Sequence, residues 1–363
     1  MLLLSVDAAE IFKWIGYIIV AMLCFMFMIV VHELGHYTAG KLLGFKINEF
    51  AVGFGPAILK KTKKNGEVFS LRCIPAGGFC AFEGEDEEEG ENPDAFNSKP
   101  VWKRIIVLAA GVTFNFVSAI VILNFFFMGY GEAVPHVGAV YEYTDGAAQQ
   151  FEEGDLILSV DGTDMYCMID PSKLSSAFAD GGQHEVVVMR DGEEVTLTVE
   201  KHTYNQVTED ESGDEVVTPA TGLGISFSLS PYKLGYGEAL GRSFTFSGEV
   251  VKLTFKAIGQ LFTGDAKVSE TMGGTVTAVS SLVQLTSSGA PAIAYGVAVL
   301  SLSIALMNIL PLPALDGMRI VFAVIEGIRR KPLNRKVEGI IHTVGLFLLL
   351  GLAITFDLLH FFG

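Results

Sequence analysis

The sequence has few of the residues that characterise secreted disulfide-rich domains or nucleic-acid-binding proteins. It contains 25 Lys and Arg against 41 Asp and Glu, and this net charge of −16 argues against nucleic acid as a partner. Its four cysteines are too scattered for a disulfide framework. The first ten residues, MLLLSVDAAE, carry no basic residue, so they lack the positive region of a cleavable signal peptide. We therefore expect the first apolar run to be retained.

Apolar sequence, by contrast, is in excess: half of the 363 residues are hydrophobic, and the mean hydropathy is +0.44. A span across a bilayer needs about 20 apolar residues. Four runs are close to that length or above it, at 11–31, 105–128, 291–315 and 339–356. They predict four transmembrane helices.

Lys and Arg are unevenly distributed among the connecting segments. The segment between the first two runs is rich in them, and so is the short RRKPLNRK at 329–336, whereas the long segment between the second and third runs is acidic. Lys and Arg in short loops favour the cytoplasmic side of a membrane. The pattern predicts that both basic loops are cytoplasmic and that the acidic segment and both termini lie outside.

The first basic segment has the pattern of a β-hairpin. Short apolar runs lie on both sides of Asn65-Gly66, a dipeptide typical of tight turns between strands. The acidic run at 83–91 predicts a solvated linker that leads into the second span.

The acidic segment predicts a small separate domain at 136–227, in which runs of β-branched residues indicate strands and 171–179 suits a short helix. Gly154-Asp155-Leu156-Ile157 followed by Asp161-Gly162 resembles the pattern of PDZ domains, which bind an extended chain or a terminal carboxylate. Another small β-rich domain is the alternative. Residues 236–262 place Arg242, Glu249, Lys252 and Lys256 at helical spacing and predict an amphipathic helix on the outer membrane surface.

The first apolar run ends in His32-Glu33-Leu34-Gly35-His36, an H-E-x-x-H pattern. Residues four apart lie on one helical face, so His32 and His36 can bind one Zn²⁺, and Glu33 can activate a water molecule held by the metal. Ionisable groups are costly in an apolar span, which favours a functional role over a chance cluster.

Asp316 is the best candidate for the third metal ligand. It is the only acid near the third span and lies in NILPLPALDG at 308–317, where two prolines and a glycine interrupt the helix. Non-helical backbone is tolerated at membrane depth where it is buried in protein or lines a wet cavity. The first and third spans run in the same direction, so both motifs are expected near the cytoplasmic side. The alternative is an Asp-Gly turn that only ends a helix.

The HELGH motif in the first span, Leu315-Asp316-Gly317 in a late span and a PDZ-like insert between them resemble the site-2 protease family. The pattern is most similar to the bacterial branch typified by the regulator of sigma E protease, over essentially the whole chain. The resemblance implies a core of three membrane helices around a buried Zn²⁺ and cleavage of peptide bonds within membrane-spanning substrates.

Carried over by motif, the resemblance implies that His32, His36 and Asp316 hold Zn²⁺ and that Glu33 is the general base. Gly53-Phe54-Gly55-Pro56 and Gly77-Gly78 match the family's membrane-associated hairpins. Three departures concern backbone shape rather than the ligands: Val112 stands where a proline is usual, Met318 where a second glycine is common, and Gly273-Gly274 replaces a Gly-Pro pair.

Four further residues are expected to bind substrate: Asn115, Asn308, Gly53 and Gly55. The two asparagines are polar groups within apolar spans, and they suit hydrogen bonds to a substrate backbone or to a developing oxyanion. Hydrogen bonding between helices is the equally favoured alternative for both.

Together these features predict a polytopic α-helical membrane protein with about four transmembrane helices, a cytoplasmic β-hairpin region and an inserted extracytoplasmic PDZ-like domain. The expected boundaries are 11–40, 103–129, 289–328 and 337–361 for the four transmembrane helices, 41–102 for the hairpin region and linker, 134–228 for the PDZ-like domain, and 229–288 for the juxtamembrane amphipathic segment.

We expect a multi-pass protein of the bacterial cell membrane whose active site lies towards the cytoplasm. The expected partners are the lipid bilayer, single-span substrates such as an anti-sigma factor or signal-peptide remnants, and a peptide or C-terminus bound by the PDZ-like domain.

The first alternative function is a PDZ-bearing membrane scaffold whose zinc site is structural or lost. The intact Glu33 argues against it, because a structural site gains nothing from a general base. A metal transporter would need more polar groups along its spans.

Overall fold

The computed structural model describes residues 8–85, 92–209, 215–263 and 275–362. Most of the acidic run at 83–91, the Gly273-Gly274 pair and the first seven residues lie outside the described residues. The chain forms two compact units: Met1–Leu123 with Ser243–Gly363, here called the membrane unit, and Asn124–Arg242, here called the sheet unit.

Eight α-helices lie in the described part of the chain. They are α1 (Ala8–Leu42), α2 (Val101–Gly129), α3 (Lys173–Ala177), α4 (Tyr236–Thr263), α5 (Thr275–Ser287), α6 (Ala290–Ile309), α7 (Asp316–Arg329) and α8 (Arg335–Phe362).

Four of these helices are long and apolar enough to cross a membrane, over Glu10–Leu42, Val101–Gly129, Ala290–Ile309 and Arg335–Leu358. Large apolar side chains such as Phe12 and Phe347 are exposed on them, as expected of helices that face lipid. The prediction of a polytopic membrane protein with four apolar spans and a β-sheet region is confirmed. Tyr236–Thr263, within the segment expected to be amphipathic, is one continuous helix.

The segment between α1 and α2 contains two long strands, β1 (Ile47–Thr62) and β2 (Val68–Phe82). Gly66 of the connecting turn has a φ of +85°, which the Asn-Gly pair accommodates without strain. Residues 49–52 of β1 pair both with 78–81 and with 68–71, and 57–62 pair with 68–72. The two strands therefore bend into a small sheet of four segments, and among the described residues the segment 78–82 is paired on one side only.

The described residues of the sheet unit form eight strands: β3 (Glu132–Val140), β4 (Leu156–Val160), β5 (Thr163–Asp164), β6 (His184–Arg190), β7 (Glu193–Val199), β8 (His202–Glu209), β9 (Glu215–Gly222) and β10 (Ile225–Tyr232). Its main sheet has the order β10-β3-β4-β6-β7, with β5 paired to β4, and β8 and β9 form a separate hairpin. The two Asp-Gly turns at 161–162 and 191–192 have both residues at positive φ, the conformation that joins twisted antiparallel strands in two-residue hairpins. Inward-facing residues including Val137, Ile157, Leu174, Val186 and Val188 form a buried apolar core.

Within the membrane unit, a buried ion-pair network joins three helices. Glu326 of α7 lies 2.6 Å from the Nη2 atom of Arg104 on α2 and 2.8 Å from the Nη2 atom of Arg335 on α8. The Arg104 and Glu326 side chains are almost completely buried. Buried charges need such partners, so the network fixes how α7 packs against its neighbours.

Candidate metal centre

The HELGH motif lies within α1, about two to three turns before the helix ends at Leu42. His32 and His36 are four residues apart, so both imidazoles project from one face of the helix. Both residues are buried, and their Nε2 atoms are 3.2 Å apart. Two nitrogen donors therefore converge on one point inside the membrane unit.

Asp316 is the first residue of α7 and follows the non-helical loop at 310–315. Its Oδ2 atom lies 2.9 Å from the Nε2 atom of His32 and 3.2 Å from the Nε2 atom of His36. Gly317 permits this fold of the chain, because a Cβ atom there would lie 2.2 Å from the carbonyl oxygen of Leu310.

The donor set of His32, His36 and Asp316 fits a zinc ion. Zinc held at about 2.0–2.2 Å by tetrahedral nitrogen and oxygen ligands keeps those atoms roughly 3.3–3.5 Å apart. The three separations here are 2.9, 3.2 and 3.2 Å, only slightly shorter. Two imidazoles and one carboxylate with a fourth position open are also the ligand class of catalytic zinc.

The orientation of His36 is fixed by α2, where the backbone carbonyl of Val107 accepts a hydrogen bond from Nδ1 at 2.8 Å. A proton on Nδ1 leaves the Nε2 lone pair free for a metal, as is usual for metal-binding histidines. Nδ1 of His32 has no hydrogen-bond partner in the described part of the chain.

Two glycines that sequence reasoning did not select bring α1 and α2 into contact at this point. A Cβ atom on Gly111 would lie 2.5 Å from Nε2 of His36 and 2.8 Å from Cε1 of His32, and one on Gly35 would lie 2.3 Å from the carbonyl oxygen of Ala110. Small residues at helix contacts in membranes are the signal that could have found them.

Glu33 lines a cavity of about 640 Å³ together with the three candidate ligands. A Cβ atom on Gly78 would lie 3.5 Å from the Cγ atom of Glu33, so the backbone of β2 passes close to this side chain. The segment 79–82 of β2 therefore forms one wall of the cavity, beside the carboxylate. Burial and the nearby Glu33 carboxylate raise the pKa of the Cys80 thiol.

The four residues expected to bind substrate are placed differently. Asn308 lines the cavity, and its amide N–H donates to the carbonyl of Ile304. Asn115 is fully buried, does not line this cavity, and neither polar atom of its amide has a partner among the described residues. Gly53 and Gly55 do not line it either; Phe54, between them, does. Both glycines have a positive φ, at +88° and +80°.

Arg319, one turn after Asp316, was not predicted from the sequence. It forms an ion pair with Glu85, and both residues line the 640 Å³ cavity. Both also line a second cavity of about 670 Å³, which extends to α8 and includes His342. The Glu85–Arg319 pair is therefore part of the wall that the two cavities share.

Comparison with known proteins gives a consistent result over nearly the whole chain. The model of Peptidase family M50 matches residues 20–352. A protein of Clostridium perfringens is 34% identical over 93% of this chain and 96% of its own length, one of Agrobacterium fabrum is 30% identical over 93% and 94%, and one of Fusobacterium nucleatum is 33% identical over 92% and 94%. All three carry the name "putative zinc metalloprotease".

The family match covers the segments that carry all the residues of the candidate centre, from the HELGH motif in α1 to Asp316 at the start of α7. The expected cofactor, Zn²⁺, agrees with both the family and the donor set. The chain belongs to peptidase family M50, the site-2 proteases, and is a membrane-embedded zinc metalloprotease.

Proposed function

We propose that this protease hydrolyses peptide bonds within membrane-spanning substrates, with His32, His36 and Asp316 as its zinc ligands and Glu33 as its general base. The observation that carries the proposal is the convergence of three ligand atoms, 2.9–3.2 Å from one another, on the wall of a cavity that Glu33 also lines. Zinc bound there would polarise the scissile carbonyl and acidify a water molecule.

In this proposal Glu33 accepts the proton from the attacking water and returns it to the nitrogen of the leaving amine. The burial of His32, His36 and most of Asp316 limits access of bulk water to the reacting groups. Asn308 is the lining residue whose amide suits a hydrogen bond to the substrate backbone or to the developing oxyanion.

A substrate helix hides its carbonyls in hydrogen bonds between residues four apart, so it must unwind before cleavage. The segment 78–82 could hold the unwound chain, because it is paired on one side only and its residues 79–82 line the cavity. An extended substrate segment would add to this edge as a further strand.

Charge supports the proposed orientation, in which the HELGH end of α1 faces the cytoplasm and the sheet unit lies outside. The segments that follow α1 and α7 are rich in Lys and Arg, whereas 130–235 is acidic.

We propose that the sheet unit is a single PDZ-like domain that restricts entry to substrates already trimmed outside the membrane. A membrane-bound anti-sigma factor or a signal-peptide remnant is a substrate of the required kind.

The test is cleavage of a single-span reporter substrate by the purified protein, with zinc content measured on the same samples. Glu33→Gln should keep its zinc and lose turnover by about 10²–10⁴-fold, the usual contribution of a general base. Glu10→Gln is the matched control, since it removes an exposed carboxylate from the same helix. Retained turnover in Glu33→Gln would remove Glu33 from this role. If the wild type binds zinc but cleaves no membrane-spanning substrate, the alternative function of a PDZ-bearing membrane scaffold would be favoured.

A further inference from the structure

The loop at 310–315 holds Asp316 in position, yet it contains little regular structure of its own. Ala314 has a φ of +72°, a conformation that a residue with a Cβ atom rarely adopts without support. Within the loop, the N–H of Leu312 donates to the carbonyl of Leu310 at 2.7 Å, and that of Leu315 to Leu312 at 3.2 Å. Something outside the loop must therefore favour its shape.

The outside contact to Ala314 comes from α8. Nδ1 of His342 accepts a hydrogen bond from the backbone N–H of Ala314 at 2.9 Å. A backbone N–H can only donate, so Nδ1 must be the unprotonated nitrogen of a neutral imidazole. The ring of Phe322 on α7 packs edge-on against the same imidazole, with 5.6 Å between centroids.

One turn further along α8, Gly345 is buried against Pro313, the loop residue before Ala314. A Cβ atom on Gly345 would lie 2.0 Å from the Cβ atom of Pro313 and 3.1 Å from its Cα atom. His342 and Gly345 are three residues apart and so share one face of the helix. This face contacts residues 313 and 314, which lie three and two positions before Asp316.

The two ends of the loop before Asp316 lie close together. Gly317 lies so close to Leu310 that a Cβ atom would come within 2.2 Å of the Leu310 carbonyl oxygen. The start and end of the loop are thus in contact, and the α8 face holds its middle.

We propose that the α8 face formed by His342 and Gly345 is a positioning site for the third metal ligand. It fixes Pro313 and Ala314, and it thereby sets the direction from which the Asp316 carboxylate reaches His32 and His36. His342 contacts neither the metal nor the substrate in this proposal and acts only through the loop. The inference rests on the proposed role of Asp316 as a ligand.

The test compares three substitutions of His342 in the full-length protein. His342→Asn keeps an acceptor near the position of Nδ1, His342→Gln moves the acceptor one bond further from the backbone, and His342→Phe keeps the ring and removes the acceptor. The measurements are zinc affinity by competition with a chelator, thermal unfolding of the zinc-free protein, and cleavage of a reporter substrate. Val344→Ala is the control, because Val344 is exposed on the same turn.

The Gln and Phe variants should bind zinc about 10–100-fold more weakly, the usual effect of losing a group that orients a ligand. The Asn variant should stay within about threefold of wild type, and the zinc-free unfolding temperatures should remain similar. Wild-type zinc affinity in the Gln or Phe variant would overturn the proposal. The proposal would also be overturned if His342→Asn bound zinc as weakly as His342→Gln, because the position of the acceptor would then not matter. The Asn and Gln pair decides the matter even if His342→Phe does not fold.

Asp316→Asn, measured alongside, separates this inference from the proposed function. If Asp316→Asn loses zinc while His342→Gln retains it, the positioning role fails and the ligand assignment stands. If Asp316→Asn itself retains zinc fully, the ligand assignment fails, and the positioning role fails with it.

Discussion

Gly35 and Gly111 meet where α1 approaches α2, and their missing side chains set how closely the two helices pack. A Cβ atom at Gly111 would overlap both imidazoles of the metal centre, and one at Gly35 would overlap the backbone of Ala110. The close approach also brings the Val107 carbonyl within 2.8 Å of His36. Helix packing and ligand orientation are therefore fixed by the same contact.

Asp316 is the residue on which the ligand assignment is most directly tested. Asp316→Asn should weaken zinc binding as well as cleavage, because a neutral amide is a poorer zinc ligand than a carboxylate. The measurement is zinc affinity of the purified variant by chelator competition. An Asn variant that holds the metal as tightly as wild type would place the third ligand elsewhere, and Asn308 would be the next residue to examine.

The sequence predicts the candidate ligands because their spacing is local or their chemistry is rare in the region. His32 and His36 share a helical face by their separation alone, and Asp316 is the only acid near its span. His342 and Gly111 could not be assigned in this way. Their roles depend on which faces of distant helices meet, and the contact of His342 with Ala314 joins residues 28 positions apart.

The elements around the centre are joined by buried charges as well as by apolar packing. Glu326 on α7 is the only carboxylate that pairs with both Arg104 and Arg335 among the described residues, and it also accepts the backbone N–H of Leu333 at 3.0 Å. Apolar patterning predicts the helices themselves, but it does not show that a glutamate is buried between two of their neighbours.

Glu326→Gln should destabilise the membrane unit by about 3–5 kcal/mol, because it removes the carboxylate that pairs with the buried Arg104 guanidinium and one of the two that pair with Arg335. The free energy of unfolding in detergent would measure the effect. Glu338→Gln is the matched control, since it removes the other acidic partner of Arg335 and leaves the Glu326 pairs in place. A change below about 1 kcal/mol for Glu326→Gln would show that the network contributes little.

The hairpin region shows what turn residues in the sequence can predict and what they cannot. Asn65-Gly66 predicts the reversal between β1 and β2, and the structure confirms a turn there. The sequence does not reveal that β1 pairs twice with β2, because register in a bent sheet depends on bulges set by tertiary packing. It is this bend that leaves 78–82 at an edge beside Glu33.

At the scale of the whole molecule, the candidate ligands and base lie in the membrane unit, and the sheet unit has a core of its own. We predict that deleting 136–227 and closing the gap with a short flexible linker leaves the catalytic centre intact. The design is favourable because Pro135 pairs with Leu229 and His136 with Ser228, so the cut ends lie on neighbouring strands.

If the sheet unit is a filter, as we propose, the deletion should raise cleavage of substrates with long ectodomains. The measurement is cleavage of one reporter substrate, full-length and pre-trimmed, by wild type and by the deletion variant. A fall for both forms would indicate a docking platform instead. A zinc-free, inactive deletion variant would show that the sheet unit helps to hold the centre together.

The last helix is anchored at both ends. Near one end His342 holds the loop before Asp316, and near the other Asp357 accepts hydrogen bonds from the backbone N–H and the hydroxyl of Thr277, in the first turn of α5. The two anchors are 15 residues apart, on the order of 22 Å along a helix. Coupling between two sites is reciprocal. If α8 positions Asp316 as proposed, a lipid or protein whose binding shifts α8 at Asp357 should change zinc affinity by some factor, and zinc should change the affinity of that partner by the same factor.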